Sequence, residues 1–282
     1  MSKSKVTCPS EIITGRLKKL RETLDHKGLD GYLITNRMDQ YYLTHFDGED
    51  GAMLVLADHV YLITDGRFAE EADCSAPWAR AVIRKGKLSE AISKVVRKHR
   101  LNRVGFDPTE MSLQLTSNLR KACRPTRLVA VEGLLADMRQ LKDASEVQTI
   151  IRAAQVAEEA FQIVTKRIRI GTTERQLAAD LLYQMLKLGA SDASFPIIVA
   201  EGAASSLPHA RTGDRRIRAG SAVLIDWGAT VDHYRSDLTR VVFIRKIPPR
   251  FRRMYDNVLA AQAAGIAAID AGRFKEESVS VS

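Results

Sequence analysis

The 282-residue chain is poor in the features that mark several protein classes. It has three cysteines, Cys8, Cys74 and Cys123, far apart and without CxxC spacing. An odd, scattered set argues against a disulfide framework or a zinc–thiolate site. No apolar run approaches the roughly 18 residues of a membrane span. The longest near the end, Val258 to Ile269, is mostly alanine and is broken by Gln262. Behind Met1-Ser-Lys-Ser-Lys-Val6 there is no apolar stretch of the kind a signal peptide needs, so a cytoplasmic protein is expected. Aromatic residues are scarce at 6%. The basic stretches Lys94 to Arg103 and Arg245 to Arg253 therefore lack the interleaved rings on which single-stranded nucleic acid stacks. The net charge of +9 is spread evenly, 23 Lys+Arg against 18 Asp+Glu up to residue 140 and 20 against 16 beyond it. A solvated basic surface, with no nucleic-acid partner, fits that distribution.

What is present reads as two domains, 1–138 and 139–282. In the first, Ile13, Leu17, Leu20 and Leu24 form one face of a helix that Gly28 ends. Short buried-type strands follow at Gly31 to Ile34, Ala52 to Leu56 and Val60 to Ile63, with Asp58-His59 as a turn. A helix from Leu88 to Arg100, a strand at Arg103 to Phe106, a helix at Leu113 to Ala122 and a strand at Arg127 to Val131 complete an α/β pattern. The period then changes. Ser145 with Gln148 suggests a capping box opening a long helix closed by Gly171. Thr173 with Gln176 suggests a second, opening a helix to Leu188. Strands at Pro196 to Ala200, Ser221 to Asp226 and Leu238 to Ile244 follow, which indicates an α+β domain.

Within the second domain, chemistry-bearing residues gather between Phe195 and Arg240. His209 follows Pro208 in a loop, Asp226 ends an apolar strand, and Asp237 begins the next strand beside Tyr234 and Arg240. A hairpin centred on Val231-Asp232 sets Asp226 directly opposite Asp237, with Cβ atoms about 4.5–5.5 Å apart. Two carboxylates that close repel unless cations share them, and dinuclear hydrolases hold ions about 3.5–4 Å apart. Two readings stand on spacing alone: such a site, or a surface hairpin in which Asp226 caps its strand and Asp237 pairs with Arg240. His233 reads as a turn residue, and His26, His45, His59 and His99 carry no motif.

The stretches Phe195-Pro-Ile-Ile-Val-Ala200, Pro208-His209-Ala210, Gly220, Val223-Leu-Ile-Asp226-Trp-Gly228-Ala229 and Tyr234-Arg-Ser-Asp237-Leu-Thr-Arg240 resemble the Xaa-Pro aminopeptidase and prolidase family of pita-bread metallopeptidases (family M24). Upstream, Gln140-Leu-Lys-Asp143-Ala-Ser-Glu146 resembles the entry to that family's catalytic domain. Tyr42-Leu-Thr44 and Asp65-Gly-Arg67-Phe68 are similar to its creatinase-like amino-terminal domain.

The resemblance implies an α/β amino-terminal domain followed by a pita-bread α+β domain. It implies hydrolysis of the bond between an amino-terminal residue and proline by two divalent ions (manganese, cobalt or zinc). Asp226 then resembles the acid that holds one metal, Asp237 the acid that bridges both, and His209 the histidine facing the substrate. It also implies a proline-containing peptide as substrate and a possible homodimer.

The family adds a histidine and two glutamates downstream. After Asp237 this chain has no histidine, and its only glutamates there are the adjacent Glu276 and Glu277. The expectation is therefore a shortened chain holding the first half of the pita-bread domain, with low or absent activity. Two alternatives accompany it: a metal-free amidinohydrolase like creatinase, which would not need both acids, and a pita-bread module that binds without catalysing.

Overall fold

The computed structural model describes residues 10–247 and 249–269. The chain divides into two compact units, 1–141 and 142–282. No helix of the described residues is long and apolar enough to cross a membrane.

The first unit is a six-stranded mixed sheet between two layers of helices. Its elements run α1 (Glu11–His26), β1 (Gly31–Ile34), α2 (Arg37–Thr44), β2 (Gly51–Leu56), β3 (Val60–Asp65), α3 (Ala69–Ser75), β4 (Arg80–Arg84), α4 (Leu88–Lys98), β5 (Arg103–Phe106), α5 (Leu113–Ala122), β6 (Arg127–Ala130) and α6 (Leu134–Gln140). Strand order is β4-β3-β2-β1-β5-β6. The strands β1, β2 and β3 pair antiparallel, while β4, β5 and β6 join in parallel.

Side chains alternate across this sheet, which is why it needs two helical covers. Met53 and Val55 join Leu17, Leu20 and Leu24 of α1, whereas Leu54 and Leu56 join Ile92, Val95 and Val96 of α4. The strands expected from sequence are there. The short elements α2, α3, β4 and α6 were not anticipated, because each is too brief or too polar to show a period.

The second unit opens with two helices, α7 (Ala144–Thr165) and α8 (Glu174–Lys187). The strands follow as β7 (Asp192–Ala193), β8 (Ile198–Glu201), β9 (Ala222–Trp227), β10 (Ala229–Val231), β11 (Tyr234–Arg235) and β12 (Leu238–Phe243), and α9 (Pro249–Ala268) comes last. Two antiparallel sheets result, β11-β10-β7 and β12-β9-β8. One core joins Ala153, Val156, Ala157 and Ala160 of α7 and Leu177, Leu181 and Met185 of α8 to Val199, Val223, Ile225 and Trp227.

Two local expectations are corrected. The capping box of α7 is Asp143 with Glu146, not Ser145 with Gln148. Asp143 Oδ1 accepts from the Ser145 and Glu146 amides, and Glu146 reaches back to the Asp143 amide. Ser145 Oγ donates to that same Oδ1. The helix also ends at Thr165, before Gly171. The second capping box, Thr173 with Gln176, stands as read. Cys74 is exposed and Cys123 is buried, while Cys8 lies outside the described residues.

Candidate active site

Strand β9 positions the first acid. Along it Val223, Ile225 and Trp227 face the core, each without solvent exposure, so Ala222, Leu224 and Asp226 take the opposite face. Trp227 anchors the strand: its indole N–H donates to the Ala157 carbonyl at 2.9 Å and its ring stacks on Phe161 at 4.6 Å. A buried indole needs such a partner.

The turn that follows sets the register. Val231 pairs with Tyr234, leaving Asp232 and His233 as a two-residue loop with φ of 47° and 68°. Positive φ at both central residues is the hairpin geometry that matches strand twist. The centre therefore lies one residue later than Val231-Asp232, and every pairing moves by two. Asp226 stands opposite Thr239, not Asp237, and Leu238 stands opposite Trp227. A two-residue shift conserves the face. Asp237, just before β12, thus becomes a diagonal neighbour of Asp226, a relation that spans about 7–8 Å in a regular ladder.

Asp226 is half-buried and accepts a hydrogen bond from Thr239 Oγ1 at 3.0 Å, while Asp237 is exposed. Arg240 Nη1 donates to the Thr239 carbonyl at 2.9 Å.

A tight polar set holds the segment between the acids. A Cβ on Gly228 would stand 1.8 Å from the Ser236 carbonyl oxygen, so only glycine fits. Ser236 Oγ accepts from the Ala229 amide and donates to the Ala153 carbonyl, both at 3.0 Å. Ser194 Oγ donates to the Ser236 carbonyl at 2.7 Å. Tyr234 OH donates to Glu146 Oε1 at 2.8 Å, which ties the strand before Asp237 to the start of α7.

His209 lies exposed in a turn in which the Ala210 amide donates to the Leu207 carbonyl at 3.2 Å. The loop that carries it adjoins the Asp226 face. Ser205 and Ser206 line a cavity of about 480 Å³ together with Leu224, Thr239 and Phe243 of the sheet and Phe251, Tyr255 and Leu259 of α9.

Among the described residues the donor set falls short of a dinuclear centre. Among the described residues no group of three or more His, Cys, Asp or Glu side chains could hold a metal ion. Asp226 and Asp237 present carboxylate oxygens suited to hard or borderline divalent ions, but two acids alone fix neither coordination number nor geometry. Glu276 and Glu277 lie outside the described residues.

Both parts of the chain match known families: residues 16–141 match the creatinase/prolidase N-terminal domain and residues 148–278 match metallopeptidase family M24. An uncharacterized peptidase of Bacillus subtilis is 31% identical over 93% of this chain and 74% of its own length. The Xaa-Pro dipeptidase of Pyrococcus furiosus is 27% identical over 94% of this chain and 75% of its own. Among solved structures, an Xaa-Pro dipeptidase from Bacillus anthracis matches with a TM-score of 0.86 at 31% identity, over 92% of this chain and 73% of that one. An X-Pro aminopeptidase from Thermotoga maritima matches with a TM-score of 0.86 at 29% identity, over 91% and 73%. The chain thus spans about three quarters of the length of these relatives. It belongs to metallopeptidase family M24, with a creatinase-like amino-terminal domain followed by a pita-bread domain.

Proposed function

We propose that the chain is a peptidase of Xaa-Pro type by descent, and that it carries the first portion of a metal-dependent site. In this reading Asp226 and Asp237 are metal ligands, and His209 faces a proline-containing peptide. The observation that carries it is the shared face: β9 turns Asp226 away from the core, the register keeps Asp237 on that side, and the His209 loop borders it. A complete centre of manganese, cobalt or zinc would activate water for attack on the peptide carbonyl. The donors described do not amount to that centre, and no step is assigned to it. Hydrolysis by this chain is accordingly low or absent.

The test is hydrolysis of Ala-Pro with and without added manganese, for this chain and for Asp226→Asn. Rates near background for both support the reading. Rapid metal-dependent turnover by this chain contradicts the low-activity part of it.

A second reading, a pita-bread module that binds peptides without cleaving them, is favoured by the apolar cavity beside the Asp226 face. Saturable Ala-Pro binding without hydrolysis selects it. A cytoplasmic location and a homodimer belong to the same proposal.

A further inference from the structure

The stems of the His209 loop are held by a residue that carries no family motif in the sequence reading. The upstream stem is β8, ending at Glu201, and the downstream stem begins at Gly213. Residues 213–217 run beside the segment that leads into α8. Gly171 and Ile217, Ile217 and Thr172, Glu174 and Arg215, and Arg175 and Gly213 are joined by amide-to-carbonyl bonds of 2.9–3.0 Å. Thr212 Oγ1 adds a local tie, accepting from the Val199 amide at 2.8 Å and donating to the Ile197 carbonyl at 2.9 Å.

Glu174, the first residue of α8, spans both stems. Its side chain has no solvent exposure. Oε1 accepts from the Glu201 amide at 2.8 Å and from Arg215 Nε at 2.7 Å. Oε2 accepts from the Gly213 amide at 2.9 Å. A buried carboxylate with two backbone amides and a guanidinium has its lone pairs well used, and it sits at the helix end that favours negative charge. Its two oxygens reach opposite ends of one loop, so the start of α8 fixes the span across which His209 is displayed.

We propose that Glu174 is the positioning residue of the His209 loop: it sets the loop's geometry from a site fully buried behind it, without touching the peptide. The inference rests on the reading of His209 as a substrate-facing residue, and its test separates the two. Glu174→Gln keeps the shape but turns an amide donor toward one of the two backbone N–H groups. Glu174→Asp keeps the charge but is too short to reach both stems, and it serves if the glutamine variant fails to fold.

The measurement is amide hydrogen exchange together with the His209 imidazole resonances by NMR, in the full chain. In Glu174→Gln, exchange at whichever of Glu201 and Gly213 faces the new amide group should rise at least about tenfold, as for loss of a charge-assisted bond, while the Val223 and Ile225 amides change less than about twofold. The His209 signals should shift or broaden in both variants, since neither holds the two stems at once. Unchanged protection at the two stems, or a uniform loss across the unit, overturns the clamp. Separately, Ala-Pro added to the unsubstituted chain should perturb the His209 signals. If it does not, the reading of His209 fails while the clamp stands.

Discussion

Thr239 Oγ1 donates to Asp226 Oδ1 at 3.0 Å directly across the β9–β12 ladder, so the position facing the first acid is a hydroxyl rather than the second acid. The carboxylate has a neutral donor at its side, and Asp237 is set off along the diagonal. The wider separation makes repulsion between the two acids weaker than in the directly opposed arrangement.

Removing that donor tests the relationship. Thr239→Val should lower the stability of the second unit by less than about 1 kcal/mol, because the bond is partly solvated. Urea denaturation followed by tryptophan fluorescence checks it. A loss of several kcal/mol would show that the hydroxyl neutralises a strained pair.

Gly228→Ala should be far more damaging. The added Cβ meets backbone, the Ser236 carbonyl, which cannot swing away as a side chain does. A loss of about 3 kcal/mol or more is expected, with the hairpin between the acids distorted. Thermal unfolding of the variant beside the parent decides this, and an unchanged Tm contradicts the close approach.

Much of this was readable in the chain. The apolar strand Ala222 to Ile225 ending in Asp226 marked an acid at the end of an otherwise buried strand. Thr173 and Gln176 announced α8. The register was harder, because Asp232-His233 is neither Asn-Gly nor Asp-Gly, the pairs by which such turns are known. The error was an even number of residues, so the shared face survived while the direct opposition did not. Ser145-x-x-Gln148 and Asp143-x-x-Glu146 fit the same capping template, and local sequence does not choose between them. Glu146 also receives Tyr234, which lies 88 residues away. The clamp by Glu174 left no trace either, since its bonds go largely to backbone amides 27 and 39 residues distant, which any residue but proline could supply.

A pH dependence is expected in the first unit. Asp39 on α2 is 7% exposed, and burial pushes its carboxyl up to about 6, while Arg139 on α6 at 3.3 Å pulls it down and Glu110 and Asp107 push it up. Between about pH 4 and 6 the folded state then holds more protons than the unfolded one. This group's contribution to stability therefore falls as pH rises through that window. Asp39→Asn should flatten the slope. Denaturation of the Trp227→Phe variant at several pH values, with Trp78 as the reporter for the first unit, measures it.

Trp227→Phe has its own cost. It leaves the Ala157 carbonyl buried without its indole donor and removes part of the stack on Phe161. A loss of about 2 kcal/mol is expected. Denaturation of the second unit followed by far-UV circular dichroism reads it, and a change below the error of that measurement would contradict the anchoring role.

Metal binding by Asp226 and Asp237 is a proposal that a direct titration can decide. Calorimetric titration of manganese into the chain, beside Asp226→Asn and Asp237→Asn, tests it most directly. Weak binding of a single ion, with a Kd on the order of millimolar, should be lost in either variant. Tight binding of two ions, or binding that neither substitution changes, would contradict it.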